Sequence, residues 1–130
     1  MSRPLGLPAI EDKILQKGVV WILQAIYEVD FCDGSYGFRP KRSCHQALRT
    51  VNEAIMSTPV HYVIEADIQG FFDHVSHDWM MTFLEVRIRD SSLLLLIRRF
   101  LKAGYIDSDL LVRSDEGTPQ GGPLSPMLAN

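Results

Sequence analysis

The segment Tyr62 to His77, with the sequence YVIEADIQGFFDHVSH, constrains the fold more than any other part of the chain. An apolar run leads into the acids Glu65 and Asp67, and a short apolar patch that contains a glycine follows. This pattern predicts a β-strand over about residues 61–68. Side chains alternate faces along a strand, so Val63, Glu65 and Asp67 would share one face. A carboxylate at the exit of a strand can bind a divalent cation through its oxygens.

Helical spacing of apolar residues recurs in four other segments. The predicted helices run from about Ile10 to Val29, from Ser43 to before Pro59, from just after Ser76 to about Arg89, and from about Ser92 to Ala103. The first is apolar over enough of its surface to be mostly buried. Ser43 and Gln46 have the spacing of a capping box, and Ser76 is an N-cap candidate. Residues 105–113 carry weak strand or hairpin signals, and a short helix is expected from Ser125-Pro126.

Composition bounds the chain to one domain or a piece of one. It has 130 residues, 46% of them hydrophobic and 22% charged. The net charge of −3 argues mildly against strong independent binding to nucleic acid, because free-standing binders are usually basic. Cys32 and Cys44 lack metal-ligand spacing and are expected to be free thiols. With no signal-peptide pattern and no membrane-length apolar run, the expected location is cytoplasmic, without a membrane partner.

Four motifs in sequence order resemble those of one enzyme family. Ala-Asp-Ile-x-Gly-Phe-Phe-Asp around Asp67 resembles the first catalytic motif of bacterial reverse transcriptases of the group II intron and retron-type class. SYGFRPKRS at 35–43 and RPLGLP at 3–8 resemble the family's fingers motifs, and GTPQGGPLSP at 117–126 resembles its downstream nucleotide-contacting motif. The resemblance runs over nearly the whole chain.

The resemblance implies an α+β fold, namely the helical fingers and an incomplete antiparallel palm sheet of a right-hand polymerase. Residues 1–60 would belong to the fingers and residues 61–130 to a partial palm. The missing strands would leave an exposed palm edge, which is expected to favour self-association or dependence on the rest of the palm.

The implied activity is RNA-directed DNA synthesis, a nucleotidyltransferase reaction that uses dNTPs on an RNA template and two-metal phosphoryl transfer. The family's second catalytic motif, an aromatic-Ala-Asp-Asp tetrapeptide, does not occur in these residues. The 130-residue chain alone is therefore expected to be inactive. Two alternatives stay open: a truncated remnant that binds nucleic acid or nucleotide without catalysis, and a degenerate product with a structural role only.

By resemblance, Asp67 is the catalytic carboxylate and a ligand of Mg²⁺, for which Mn²⁺ is an alternative. The backbone carbonyl of Ile68 would join it, since a carbonyl oxygen is a suitable hard ligand. Phe72 matches the bulky residue that excludes a ribose 2′-hydroxyl, while Phe71 is expected to pack. The alternative interpretation of Asp67 is an acid that caps the turn after a strand.

The resemblance also assigns residues to nucleotide and template contacts. The expected dNTP-binding residues are Arg3, Arg39, Phe72 and Gln120, and the expected template or primer contacts are Lys41, Arg42, Gly121 and Gly122. Arginine has forked donors that match phosphate, although a single arginine is more often solvated surface charge. The implied partners are RNA template, DNA primer, dNTPs and, as an option, intron RNA.

The four histidines, His45, His61, His74 and His77, form no metal pattern in the sequence. They are interpreted as structural or solvent-facing. A Ser-His-Asp hydrolase is disfavoured because no Gly-x-Ser-x-Gly nucleophile elbow is present.

Overall fold

Capped amphipathic helices make up most of the structure. The computed structural model describes residues 7–107, 110–112, 115–118 and 121–130. The helices are α1 (Ile10–Tyr27), α2 (Cys44–Ser57), α3 (Phe71–His74), α4 (His77–Arg87), α5 (Ser91–Lys102) and α6 (Leu124–Leu128). The strands β1 (Tyr105–Asp107) and β2 (Leu110–Val112) pair antiparallel, with Ile106 opposite Leu111.

Side-chain caps fix where three of the helices begin. The hydroxyl of Ser43 accepts from the N–H of Gln46, and that of Ser76 accepts from the N–H of Trp79, each at 3.4 Å. Asp90 caps α5 by accepting from two backbone N–H groups. Each cap satisfies donors that have no partner within the first helical turn. The four long helices predicted from the sequence are thus confirmed, with ends that differ slightly from those predicted.

The core lies among α1, α4, α5 and α6. Its buried side chains are apolar: Val19, Val20, Leu23, Met81, Leu84, Ile88, Ile97, Leu101, Leu124 and Met127. Only one face of α1 contributes, because Trp21 and Ile14 on its other faces are 64% and 68% exposed. The prediction that this helix is mostly buried was therefore wrong.

The predicted strand over 61–68 was also wrong, because residues 59–68 contain neither strand nor helix. Tyr62, Val63 and Ile64 are 89%, 78% and 90% exposed. A strand requires a neighbour to satisfy its backbone N–H and C=O groups, and no neighbouring strand lies beside this segment in the part of the chain that the structure describes. An alternating pattern of side chains within one segment does not show whether a neighbouring strand is present.

The predicted fold class, α+β with an antiparallel palm sheet, is corrected accordingly. Across residues 7–107, 110–112, 115–118 and 121–130 the structure is helical, and the β1–β2 hairpin is its sole sheet. The palm edge that was expected to drive self-association is not present in these ranges. Exposed apolar side chains of α2 and of residues 62–64 are present instead.

Candidate functional site

A tight reversal at Gly70 separates the extended segment from α3. Gly70 has a φ of +64°, in the left-handed region that favours glycine. Its carbonyl accepts from the N–H groups of Asp73 and His74 at 2.9 and 3.1 Å. A Cβ at Gly70 would lie 3.0 Å from the ring of the exposed His74, so a side chain there would require that ring to shift.

Asp67 lies exposed just before this reversal. No hydrogen bond or ion pair engages its carboxylate within the described ranges. The carbonyl of Ile68 accepts from the N–H of Phe71 at 3.3 Å, which leaves its second lone pair available. Asp67 and Ile68 thus present oxygen atoms to solvent at one end of the turn.

The two phenylalanines after Gly70 pack against each other. Their rings meet edge to face, with centroids 5.4 Å apart and an angle of 82° between planes. Both are half-buried, and Phe71 lines an apolar groove of about 550 Å³ bounded by α1, α4, α6 and the turn. The gating role of Phe72 stays a prediction.

Residues 70–77 contact residues 116–118, and this contact is here called the motif junction. The N–H of Gly117 donates to the carbonyl of Val75 and the N–H of Thr118 donates to the carbonyl of Phe72, both at 2.7 Å. Ser76 and Glu116 also form an isolated antiparallel bridge. Two segments that the sequence singled out separately are therefore joined through their backbones.

Only glycine fits at position 117 of the motif junction. Its φ is +81°, and a Cβ there would lie 2.7 Å from the carbonyl oxygen of Asp73 and 2.8 Å from that of Phe72. Those distances are shorter than any ordinary carbon–oxygen contact. The glycine at this position lets the two backbone segments approach each other.

His77 makes a side-chain contact at the motif junction, and this contact was not predicted from the sequence. It is the first residue of α4, is 3% exposed, and its Nε2 lies 2.6 Å from the carbonyl oxygen of Gly117. The prediction that His77 is structural or solvent-facing left this contact unspecified. Its partner lies 40 positions away, so no local sequence signal could have identified it.

Arg39 is buried inside the loop between α1 and α2. It is 8% exposed, and its guanidinium lies 2.9 Å from a carboxylate oxygen of Glu28. It also donates to the carbonyls of Cys32 and Ser35 at 2.7 and 3.0 Å, and lies over the ring of Phe31. In the described structure it braces the loop, and its contact with dNTP stays a prediction.

Arg42 and Lys41 lie at the surface of the same loop. Arg42 forms an exposed ion pair with Asp33 at 3.3 Å and lies over the ring of Tyr36. Lys41 is exposed and has a positive φ of 60°. Both are positioned where a polyanion could reach them.

Of the four remaining predicted site residues, two lie outside the described ranges and two lie inside them. Arg3 and Gln120 lie outside the residues that the structure describes. Gly121 is exposed, whereas Gly122 is buried and packs so closely on α1 that a Cβ there would overlap the amide oxygen of Gln16. The contact ties the start of α6 to α1.

One ionisable group at the groove has a perturbed pKa. Burial raises the pKa of the Tyr27 phenol above its ordinary value, nearby Asp30 adds to the rise, and the Arg87 guanidinium opposes it. The hydroxyl donates to the carbonyl of Leu84 at 3.2 Å. Tyr27 therefore remains protonated and serves as a hydrogen-bond donor between α1 and α4.

The oxygens available for a metal ion are right in kind but few. Within the ranges that the structure covers, no three His, Cys, Asp or Glu residues cluster as a metal site. Mg²⁺ binds through one or two carboxylates when substrate phosphates supply more oxygens. Asp67 and the Ile68 carbonyl thus fit as one side of a magnesium site.

Among the helices described, none has the length and apolar character to cross a membrane.

Comparison with known proteins gives consistent matches over the whole chain. The family model described as "Reverse transcriptase (RNA-dependent DNA polymerase)" matches residues 1–130. The group II intron-encoded protein LtrA of Lactococcus lactis subsp. cremoris is 44% identical over 128 residues, covering 98% of this chain. Protein YkfC of Escherichia coli (strain K12) is 43% identical over 131 residues, again covering 98% of the chain.

A more distant match is the nuclear intron maturase 1, mitochondrial, of Arabidopsis thaliana, which is 30% identical over 106 residues, or 82% of the chain. The matched regions make up 21%, 34% and 14% of these three proteins. The chain thus spans a fraction of the length of the curated relatives it matches.

Proposed function

Since the chain belongs to the reverse transcriptase family, we propose that it forms the fingers and part of the palm of an RNA-directed DNA polymerase. Residues 1–60 are assigned to the fingers and residues 61–130 to the palm. The substrates are dNTPs, the template is RNA and the primer is DNA. Relatives named as intron-encoded proteins and intron maturases support intron RNA as a further partner. The assigned compartment is the cytoplasm.

The motif junction is the observation that carries this proposal. It brings the backbone of Phe72 and that of Thr118 within 2.7 Å of each other, although they are far apart in sequence. In the sequence, Asp67 precedes one segment of the junction and Gln120 follows the other. A polymerase needs its catalytic carboxylate and its nucleotide contacts on one surface, and this connection is consistent with that need.

Each residue has a distinct role in the proposed reaction. Asp67 and the Ile68 carbonyl hold Mg²⁺, or Mn²⁺ in its place. When bound, such an ion stabilises the charge that develops on the attacking and leaving oxygens. Phe72 closes the sugar pocket against a 2′-hydroxyl, while Gln120 and Arg3 contact the dNTP.

The loop between α1 and α2 supplies the remaining contacts. Lys41 and Arg42 of this loop lie along the template and primer, as do Gly121 and Gly122 just before α6, where Gly122 is buried against Gln16. Arg39 reaches the dNTP only by exchanging its contact with Glu28 for the triphosphate. Since that ion pair lies at 2.9 Å, such an exchange would couple nucleotide binding to a rearrangement of this loop.

Residues 1–130 alone are proposed to be inactive, because Asp67 is a single carboxylate and no aromatic-Ala-Asp-Asp motif occurs in them. Primer extension on an RNA template with Mg²⁺ and dNTPs tests both the proposed polymerase activity and the proposed inactivity of residues 1–130. A polymerase that contains these residues together with the second catalytic motif should extend the primer, and Asp67→Asn should abolish extension. The 130-residue chain should give none.

Nucleotide selection tests the assignment of Phe72 separately. Phe72→Ala in the active polymerase should admit rNTPs, with Phe71→Leu as the matched control that keeps discrimination. Unchanged discrimination in Phe72→Ala would place the gate elsewhere. Binding of RNA without extension by the longer protein would favour the alternative, a non-catalytic nucleic-acid-binding remnant.

A further inference from the structure

We propose that His77 is a positioning residue that holds Gly117 and Thr118 in register with Phe72 and the turn after Asp67. The proposal rests on the function proposed above and assigns a role to a residue outside the predicted site. Its basis is the contact of a buried imidazole with the carbonyl of Gly117.

The contact fixes which ring nitrogen carries the proton. A carbonyl oxygen only accepts hydrogen bonds, so Nε2 of His77 must donate to Gly117. In a neutral ring the other nitrogen, Nδ1, is then a bare lone pair. Nδ1 is buried without a hydrogen-bond partner in the described ranges, in agreement with a ring whose donor is Nε2.

The position of His77 allows it to act on both halves of the motif junction. Its backbone begins α4 directly after the Ser76 cap, so it is fixed relative to residues 70–76. Its side chain reaches across to Gly117, whose N–H is bound to Val75. Gly117 is therefore held through both its N–H and its carbonyl by neighbouring residues of one turn.

Two backbone hydrogen bonds of 2.7 Å also join the two segments, and the His77 donor adds a side-chain attachment at the carbonyl of Gly117. The pair between His74 and Glu116 is exposed on both sides and lies at 3.4 Å. Exposed pairs contribute little to holding a geometry. Without the His77 donor, this peptide keeps its hydrogen bond from Thr118 to Phe72, but the buried carbonyl of Gly117 loses its partner, which loosens the placement of Thr118 against Phe72.

Three substitutions distinguish the effect of losing the hydrogen-bond donor from the effect of changing the shape of the side chain. His77→Gln places an amide N–H at about the reach of Nε2. His77→Asn is too short to reach Gly117, and His77→Leu retains bulk without a donor. His45→Leu, an exposed histidine on α2, is the matched control for the same chemical change elsewhere.

In the active polymerase, His77→Leu and His77→Asn should raise the KM for dNTP by about fivefold or more, the change expected when one neutral hydrogen bond is lost. kcat should change less, and His77→Gln and His45→Leu should stay near the wild-type KM. A core variant such as Leu23→Ala should lower the active fraction without changing KM. Equal KM values for wild type and His77→Leu, or equal losses for His77→Gln and His77→Leu, would overturn the proposal.

A second measurement on the 130-residue chain separates this proposal from the proposed function. Nitrogen chemical shifts of the imidazole should identify Nε2 as the protonated atom. Hydrogen exchange at the Gly117 amide should accelerate by about fivefold or more in His77→Leu and not in His77→Gln. If the longer protein never extends a primer, the proposed function fails while this measurement still decides the contact. A proton on Nδ1 or unchanged exchange in His77→Leu would refute it.

Discussion

At the scale of single residues, the site depends on positions where almost no substitution fits. Gly70 and Gly117 both have positive φ, and both face neighbours that a Cβ would meet. The sequence signalled Gly70 through its place in the first motif. The constraint at Gly117 comes from carbonyls more than forty positions earlier in the chain, so a local pattern could only suggest a turn there.

Gly117→Ala is expected to destabilise the chain by about 2 kcal/mol or more, because the new methyl group would meet two carbonyl oxygens at a φ that alanine disfavours. Gly18→Ala is the matched control. Gly18 lies within α1 and nothing approaches within 4 Å of its added Cβ, so that variant should gain about 0.5–1 kcal/mol. Urea unfolding measures both. A stability change of the same sign in the two variants would contradict the geometry of the motif junction.

At the scale of elements, helices were predicted well and the extended segment was not. Ser43 and Ser76 are caps whose partners lie within a few residues, so local sequence contains the whole interaction. A strand over 61–68 depends on a neighbour elsewhere in the chain. The described ranges contain no such neighbour. The apolar side chains of residues 62–64 are therefore exposed, and the backbone there is not paired with another strand.

The loop between α1 and α2 provides a test of two arginines to which the resemblance assigned different contacts, Arg39 to dNTP and Arg42 to the template or primer. Arg39→Met should cost about 2 kcal/mol, because Glu28 and the carbonyls of Cys32 and Ser35 lose a nearly buried partner. Arg42→Met should change stability little, since its pair with Asp33 is exposed and screened.

The comparison is made by urea unfolding of the two variants at low salt and at about 0.5 M salt, where exposed charges are strongly screened. The Arg39→Met loss should persist at the higher salt. Equal losses in the two variants would mean that the buried ion pair is not what holds this loop. If Arg39→Met were instead neutral for stability and weakened only nucleotide binding, the exchange proposed above between Glu28 and the triphosphate would gain support.

At the scale of the whole molecule, the exposed apolar surface is the feature in which the structure differs most from a domain that is stable by itself. None of the residues of α2 is buried. Leu48, Val51 and Ile55 on its apolar face are 68%, 56% and 48% exposed. The helical pattern correctly predicted that these side chains share a face, but a pattern does not specify what covers that face. Apolar patches of this kind mark interaction surfaces.

The 130-residue chain is therefore expected to self-associate in a concentration-dependent way through α2 and residues 62–64. The variant Val51→Asp with Ile64→Asp should shift it toward monomer in analytical ultracentrifugation without loss of helicity, since burial of apolar surface drives association and neither side chain is in the core. Leu7→Asp is the matched control, because Leu7 is 84% exposed but far in sequence from both patches. If all three proteins are monomeric at high concentration, these surfaces are not adhesive by themselves. If Leu7→Asp dissociates the assembly as well as the double variant, the contact lies at the start of the chain instead.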